Sequence, residues 1–338
     1  MRAFITGTGA SLPDAVVTNE EIAERLGLTP EQIFKSSGIR SRRWAAPGAT
    51  TSALAAAALR AALEDAGRAA ADVDYLLLGT MTPDRFIPGS APSVQAALGL
   101  GEIPCLDIRA ACCNALYGLQ LARALVAAGA ARRVALCLAD VQSSFLDLSP
   151  ASGTLSMLFG DGAAALVVEG EDANAGAAVE IVDVLLATDG RYADDLGIRC
   201  PGTELGTAAA HPVAEYAADY APRMNGQSVI LQASRRIVAA CKVVLARNNL
   251  AAHELGWIVP HQANANLLAQ VARGLGLPPG DERVISTLAE LGNTSSASMG
   301  IALDTLRRSG RARGGDYLLL PAFAAGFTWG AGLCRVVG

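Results

Sequence analysis

The chain has 338 residues, 51% of them hydrophobic and 17% charged, which is enough for a large buried core and too apolar for a disordered protein. Its formal net charge is -5 with both signs interspersed, so it lacks the basic stripe of a nucleic-acid binder, and no apolar run reaches the length that spans a bilayer. The seven cysteines are scattered, with no CxxC pair and no Cys/His cluster at zinc spacing; this excludes a metal site and a secreted disulfide framework and fits a reducing cytoplasm.

Strand-like and helix-like stretches alternate along the chain, the pattern of an α/β protein with buried sheets. Residues 2–6 read as a first strand and lack the sustained apolar core of a signal peptide. Thr18, with Glu21 three residues on, has the form of a capping box opening a helix. Residues 51–66 read as an alanine-rich helix closed by Gly67, and 74–79 (DYLLLG) as a strand covered on both faces. A loop punctuated by Pro and Gly at 82–89 leads to a helix near 93–98 and a buried strand at 105–108. Leu116, Leu119, Ala122 and Val126 then recur at helical spacing, which puts the first turn of a helix at Cys112 and Cys113. Residues 134–139 form a further strand, and FGDG at 159–162 turns into another.

The second half repeats this order. Residues 65–83 share a plan with 247–264, residues 129–141 with 310–323, and the strand after FGDG with the strand after FTWG. Two βα halves related by duplication, 1–170 and 171–338, are expected. Between them, residues 188–225 are rich in Gly, Pro, Asp and Ala and read as a long excursion over one face.

Four segments carry chemistry. At a helix start, unpaired amides and the positive dipole end favour a thiolate at Cys112, although a small buried hydrophobe suits the position too. Of the three histidines, His211 falls in the excursion and His253 in a polar turn, whereas His261 follows the apolar run WIVP, at the kind of strand end where reactive groups gather. A hydrogen-bonded core histidine fits that segment equally. Asn293 follows Gly292 ahead of a run of small residues and suits a helix cap as well as a site. The glycine/alanine turn at 323–332 lets a backbone amide approach a ligand.

Together these segments resemble β-ketoacyl-acyl carrier protein synthase III, of the thiolase superfamily. The resemblance runs through TGTGASLP, SGIRSRRWAAP, the cysteine helix, LFGDGAAA, VPHQAN, GNTSSAS and GFTWG, and so covers nearly the whole chain. It implies a thiolase-like fold of five layers, α-β-α-β-α, and a catalytic set of Cys112, His261 and Asn293, with Cys113 packing behind the nucleophile. It also implies an oxyanion hole from the backbone amides of Cys112 and Ala325, and an acyl pocket that includes Met157 and Ile87. Ile87 stands at a usually aromatic position reaching across a homodimer, where an aliphatic side chain admits longer or branched acyl groups.

The implied reaction is decarboxylative Claisen condensation of a Cys112-bound acyl group with a malonyl thioester. Acyl transfer to an alcohol or amine, and an inactive scaffold, are the alternatives. Acyl-coenzyme A and acyl carrier protein thioesters enter as substrates, with no cofactor, metal, nucleic acid or membrane. The positions that hold donor or carrier correspond to Gln32, Ser36, Asn264 and Asn266. Three of these depart from the family: Gln32 and Ser36 replace a tryptophan and an arginine, and Asn266 a basic residue. A weakened coenzyme A site and a specialised substrate are therefore expected.

Overall fold

The computed structural model describes residues 1–171, 178–200 and 222–338. His211 lies outside the described residues, as does most of the long excursion. Nine strands form one mixed sheet: β1 (Ala3–Ser11), β2 (Tyr75–Gly79), β3 (Cys105–Ile108), β4 (Arg133–Asp140), β5 (Gly162–Gly170), β6 (Ala178–Thr188), β7 (Leu255–Ile258), β8 (Tyr317–Ala324) and β9 (Thr328–Val337). Their order is β7-β8-β9-β6-β1-β5-β4-β2-β3. Among the described residues, the helices of eight residues or more are α1 (Pro30–Ser37), α2 (Thr51–Asp65), α3 (Ala91–Leu98), α4 (Asn114–Ala127), α5 (Gly226–Arg247), α6 (Ala265–Gly274) and α7 (Ser298–Arg308).

The strand pairing repeats. β2 lies parallel to β4, which is antiparallel to β5, which is antiparallel to β1. In the same sense β7 lies parallel to β8, β8 is antiparallel to β9, and β9 to β6. Within the sheet the two runs are joined where Phe4 and Ile5 of β1 pair with Glu180 and Val179 of β6.

Three cores show the layering. Leu59 and Ala62 of α2 and Val94 of α3 pack on Leu76, Leu78, Ala135 and Cys137, the outer face of the first run. Ile237 and Val244 of α5 and Val271 of α6 pack on Leu319, Ala331 and Leu333, the outer face of the second. Between the runs, Leu116 and Leu119 of α4 and Met299 and Leu303 of α7 meet Leu136 and Leu138 from one side and Leu318 and Leu320 from the other. Alternate residues of one strand thus feed different cores, which is why DYLLLG and DYLLLP read as continuous apolar runs. Gly7 and Gly9 let α2 settle directly on β1: a Cβ at either would fall within 2.4 Å of the Ala62 or Ala58 carbonyl oxygen.

The capping box forms as expected, with the Glu21 carboxylate accepting from the Thr18 amide. Strand β3 differs from its expected burial. It pairs only with β2 and forms the sheet edge, leaving Leu106 42% exposed. Among the described residues no helix is long and apolar enough to cross a membrane, and no group of His, Cys, Asp and Glu is placed to hold a metal ion.

Candidate active site

Cys112 sits in the 3-10 turn Ala111–Cys113 that runs into α4. Ala111 has φ +48°, a left-handed conformation that strains an alanine by about 1 kcal/mol or more. Asn114 holds the turn from behind. Its Oδ1 accepts from the Ala110 amide at 2.7 Å, and its Nδ2 donates to Ser296 Oγ at 2.9 Å. Gly79, at the end of β2, makes room for that side chain, since a Cβ there would lie 2.6 Å from Asn114 Cβ. The Ser296 amide donates in turn to the buried Asp140 carboxylate, which also accepts from Thr80 Oγ1 and the Met81 amide. Cys113 is fully buried and directs its thiol at the Thr328 carbonyl, while Cys112 lies partly open to a cavity.

His261 follows β7, and its amide donates to the Pro321 carbonyl of β8. Its Nδ1 lies 2.7 Å from Ser298 Oγ, which also accepts from the Gln262 amide at 3.2 Å. Because the hydroxyl proton has no other acceptor among the described residues, we assign it to Nδ1 and the ring proton to Nε2. Asn293 is fixed through its backbone, its amide donating to the Leu158 carbonyl and its carbonyl accepting from the Gly160 amide. Its Oδ1 accepts from the Ser295 amide at 2.9 Å, a local turn just ahead of the segment that leads into α7, in which Thr294 holds the cap position. Nδ2 is left as the group it can present.

Two cavities meet at Cys112. The first, of about 170 Å³, contains Cys112, His261 and Asn293 and runs between α1 and α6 past Ser36, Asn264 and Asn266. The second, of about 370 Å³, lies on the other side of the thiol, with Ala325 and Ser295 beside Cys112 and with Met81, Phe86, Phe145 and Ile198 as apolar wall. A thioester reaching the sulfur through the first cavity can leave its acyl chain in the second.

Burial decides the protonation states. It pushes the Cys112 thiol up to about 12, against the Ser295 hydroxyl 3.7 Å from Sγ, which works the other way. The helix end therefore does not leave a thiolate at rest, contrary to the sequence expectation. Burial also lowers His261 to about 4, so the imidazole is neutral at physiological pH, with one ring nitrogen a donor and the other an acceptor.

The other expected site residues divide. Ala325 and Cys112 line one cavity, as the oxyanion assignment requires. Asn264 caps α6 by accepting from the Leu267 amide, and Asn266 Nδ2 donates to the Ser36 carbonyl at 3.0 Å, so both sit at the mouth with Ser36. Gln32 does not line it: its side-chain oxygen accepts from the Thr29 amide and caps α1. Met157 is also displaced from the acyl wall, because it packs in the cluster formed by Ile33, Leu155 and Leu268. Ile87 is 78% exposed and lines neither cavity of its own chain; its neighbour Phe86 does. His253 is exposed in a short turn, as expected. Sequence reasoning missed Ser295, Ser298 and Asn114. The signal available was the polar spacing within NTSSAS and an asparagine where a helix start favours small residues.

Comparison with known proteins places these features. The family model for 3-oxoacyl-[acyl-carrier-protein] synthase III matches residues 106–190, and the model for its C-terminal part matches 245–336. The β-ketoacyl-[acyl-carrier-protein] synthase III of Rhodospirillum rubrum is 40% identical over 337 residues, 99% of each chain. That of Rhizorhabdus wittichii is 38% identical over 334 residues, again 99% of each. Among solved structures, 3-oxoacyl-(acyl carrier protein) synthase III from Pseudomonas aeruginosa PAO1 superposes with a TM-score of 0.88 at 35% identity, covering 100% of this chain and 99% of that one. The priming β-ketosynthase of the R1128 polyketide pathway gives 0.86 at 31%, covering 99% and 96%.

Proposed function

We propose, for a chain that belongs to the β-ketoacyl-[acyl-carrier-protein] synthase III family and has its thiolase-like fold, that Cys112 carries an acyl group through a decarboxylative Claisen condensation. The substrates are an acyl-coenzyme A and a malonyl thioester of acyl carrier protein. The observation that supports this most directly is the position of Cys112 at the junction of two cavities, with His261 and Asn293 on the thioester side.

In the first half-reaction Sγ attacks the acyl carbonyl, the bond to the donor sulfur breaks, and the Cys112 proton leaves with the donor thiol. The amides of Cys112 and Ala325 hold the oxyanion. In the second, the malonyl carboxylate departs as carbon dioxide, and its bonding electrons move onto the thioester as an enolate. Nε2–H of His261 and Nδ2–H of Asn293 donate to the enolate oxygen, each contributing about 3 kcal/mol in a dry site. The enolate carbon attacks the acyl carbonyl and expels the Cys112 thiolate, which regains a proton. The energy comes from decarboxylation, so the scheme calls for no cofactor.

A homodimer joined along β3 accords with the open sheet edge and with Leu106, Phe86 and Ile87, which are 42%, 65% and 78% exposed. Seven free cysteines accord with a reducing cytoplasm. The test is incubation with acyl-coenzyme A and labelled malonyl carrier protein. Carbon dioxide release matched by 3-oxoacyl product is expected; acyl transfer without carbon dioxide would refute condensation. Cys112→Ala should abolish acylation and Cys113→Ala spare it, while His261→Ala and Asn293→Ala should acylate and fail to decarboxylate.

A further inference from the structure

The acyl cavity is not uniformly apolar. Beyond Phe86, Phe145 and Ile198 it is lined by two arginines, Arg85 from the loop after β2 and Arg109 three residues before the nucleophile. Both are exposed, and neither forms an ion pair or hydrogen bond with any described residue. Among the described residues the one carboxylate on the same wall is Asp84, which accepts from the Ser52 amide at 3.0 Å at the start of α2, so cation outweighs anion among them. Unpaired guanidiniums also occur elsewhere on the surface, as at Arg25, Arg60 and Arg123, whereas Arg85 and Arg109 line the cavity that holds Cys112.

An apolar cavity with two unpaired guanidiniums on its wall selects for a chain with an apolar body and an anionic end. An alkyl terminus gains nothing from the arginines and displaces their water, whereas a carboxylate accepts from one or both forks in charge-assisted bonds. We propose that the acyl group carried on Cys112 ends in a carboxylate, the donor being the monothioester of a dicarboxylic acid, with Arg85 and Arg109 as its subsite. This rests on Cys112 as the acylated residue. The step is ordinary transthioesterification: the Sγ–C bond forms, the donor C–S bond breaks, and the Cys112 proton departs on the donor thiol. The distal carboxylate takes no part in it.

The test uses the full-length enzyme with hexanoyl-coenzyme A and adipyl-coenzyme A in competition, two donors of equal carbon number that differ in the terminal carboxylate. Intact-protein mass spectrometry reads the mass added at Cys112. Adipyl should be favoured roughly tenfold or more. Arg85→Ala and Arg109→Ala should each reduce it, and Arg109→Lys should retain part of it. Faster uptake of hexanoyl, or alanine variants that leave the ratio unchanged, would overturn the subsite while leaving the Cys112 chemistry standing. Alanine variants that alter the oligomeric state without moving the ratio would assign the arginines to a subunit contact and refute the proposal. Uptake of neither donor, nor of any other acyl thioester, would overturn the acyl-cysteine reading itself.

Discussion

Ser298 Oγ lies 2.7 Å from Nδ1 of His261, and both side chains are buried, at 1% and 6% exposure. The serine opens α7, while the histidine follows β7. The Gln262 amide donates to the same oxygen, and the hydroxyl proton has no acceptor other than Nδ1 among the described residues, so the hydroxyl donates to the ring. This places the imidazole proton on Nε2, where an enolate oxygen needs it.

Ser298→Ala should therefore separate the two half-reactions. Loss of the hydroxyl frees the ring to take the other tautomer, which turns a donor into an acceptor at the reacting oxygen. Decarboxylation should fall roughly tenfold or more, the value of a buried hydrogen bond left unmade. Acylation of Cys112, followed as burst amplitude by mass spectrometry, should remain. Equal losses in both steps would show a structural role only.

His261 also sets an acid limit on stability. Its pKa is lowered by burial from 6.5 to about 4. Above pH 6.5 the ring is neutral in folded and unfolded chains alike. As pH falls from 6.5 to 4 the unfolded chain takes a proton that the folded chain refuses, and stability is lost across that window. At about 1.4 kcal/mol per pH unit the loss reaches roughly 3 kcal/mol. His261→Asn should remove this contribution, so the difference between wild-type and variant urea midpoints should narrow on acidification. A difference that is constant from pH 7 to 4 would rule it out.

The same burial governs the nucleophile. With its thiol raised to about 12, Cys112 is almost wholly protonated at pH 7. Alkylation of the resting enzyme by iodoacetamide should rise about tenfold per pH unit from 7 to 10 without a plateau. Ser295→Ala, which removes a hydroxyl favouring the thiolate, should slow it at every pH. A plateau near pH 7 would mean that the helix end outweighs desolvation.

Much of this was legible before any coordinates. DYLLLG announced a strand covered on both faces, and Thr18 with Glu21 announced a helix start, because those signals are local. Cys112, His261 and Asn293 were each ambiguous alone and became a set only through the resemblance along the chain. What stayed hidden was decided by contacts between distant segments. Asn114 meets Ser296 across 182 residues and Ser298 meets His261 across 37. Gln32 was expected at the donor site, but a local contact with Thr29 three residues away claimed its side chain. The Cys112 protonation state was misjudged because a helix start is visible in sequence and the burial around it is not.

Asn114 ties the nucleophile turn to the segment that carries Asn293. Asn114→Ala would leave the Ala110 amide and Ser296 Oγ without this partner behind a residue already at φ +48°. Two hydrogen bonds lost in a buried place should destabilise the fold by about 2 kcal/mol. The strained turn should relax, and acylation should slow more than the donor's KM rises. Equilibrium unfolding and single-turnover acylation read the two effects separately. Unchanged acylation in a destabilised variant would deny Asn114 a positioning role.

Gly160 gives the converse case, in which the thiol is untouched and the enolate donor moves. A Cβ at this position would fall 2.2 Å from the Leu291 carbonyl oxygen, a backbone atom that cannot swing aside. The strand-like pairing between Phe159 and Asn293, and the bond from the Gly160 amide to the Asn293 carbonyl, would have to open. Gly160→Ala should therefore cost about 1–3 kcal/mol of stability, the usual range for overpacking. It should shift Asn293 away from the enolate while leaving Cys112, held by the turn into α4, in place. The expected phenotype is normal acylation with carbon dioxide release reduced toward that of Asn293→Ala. Because both variants damage the same contact, the double variant should be little worse than Asn293→Ala alone. Additive losses would place the effect of Gly160 elsewhere.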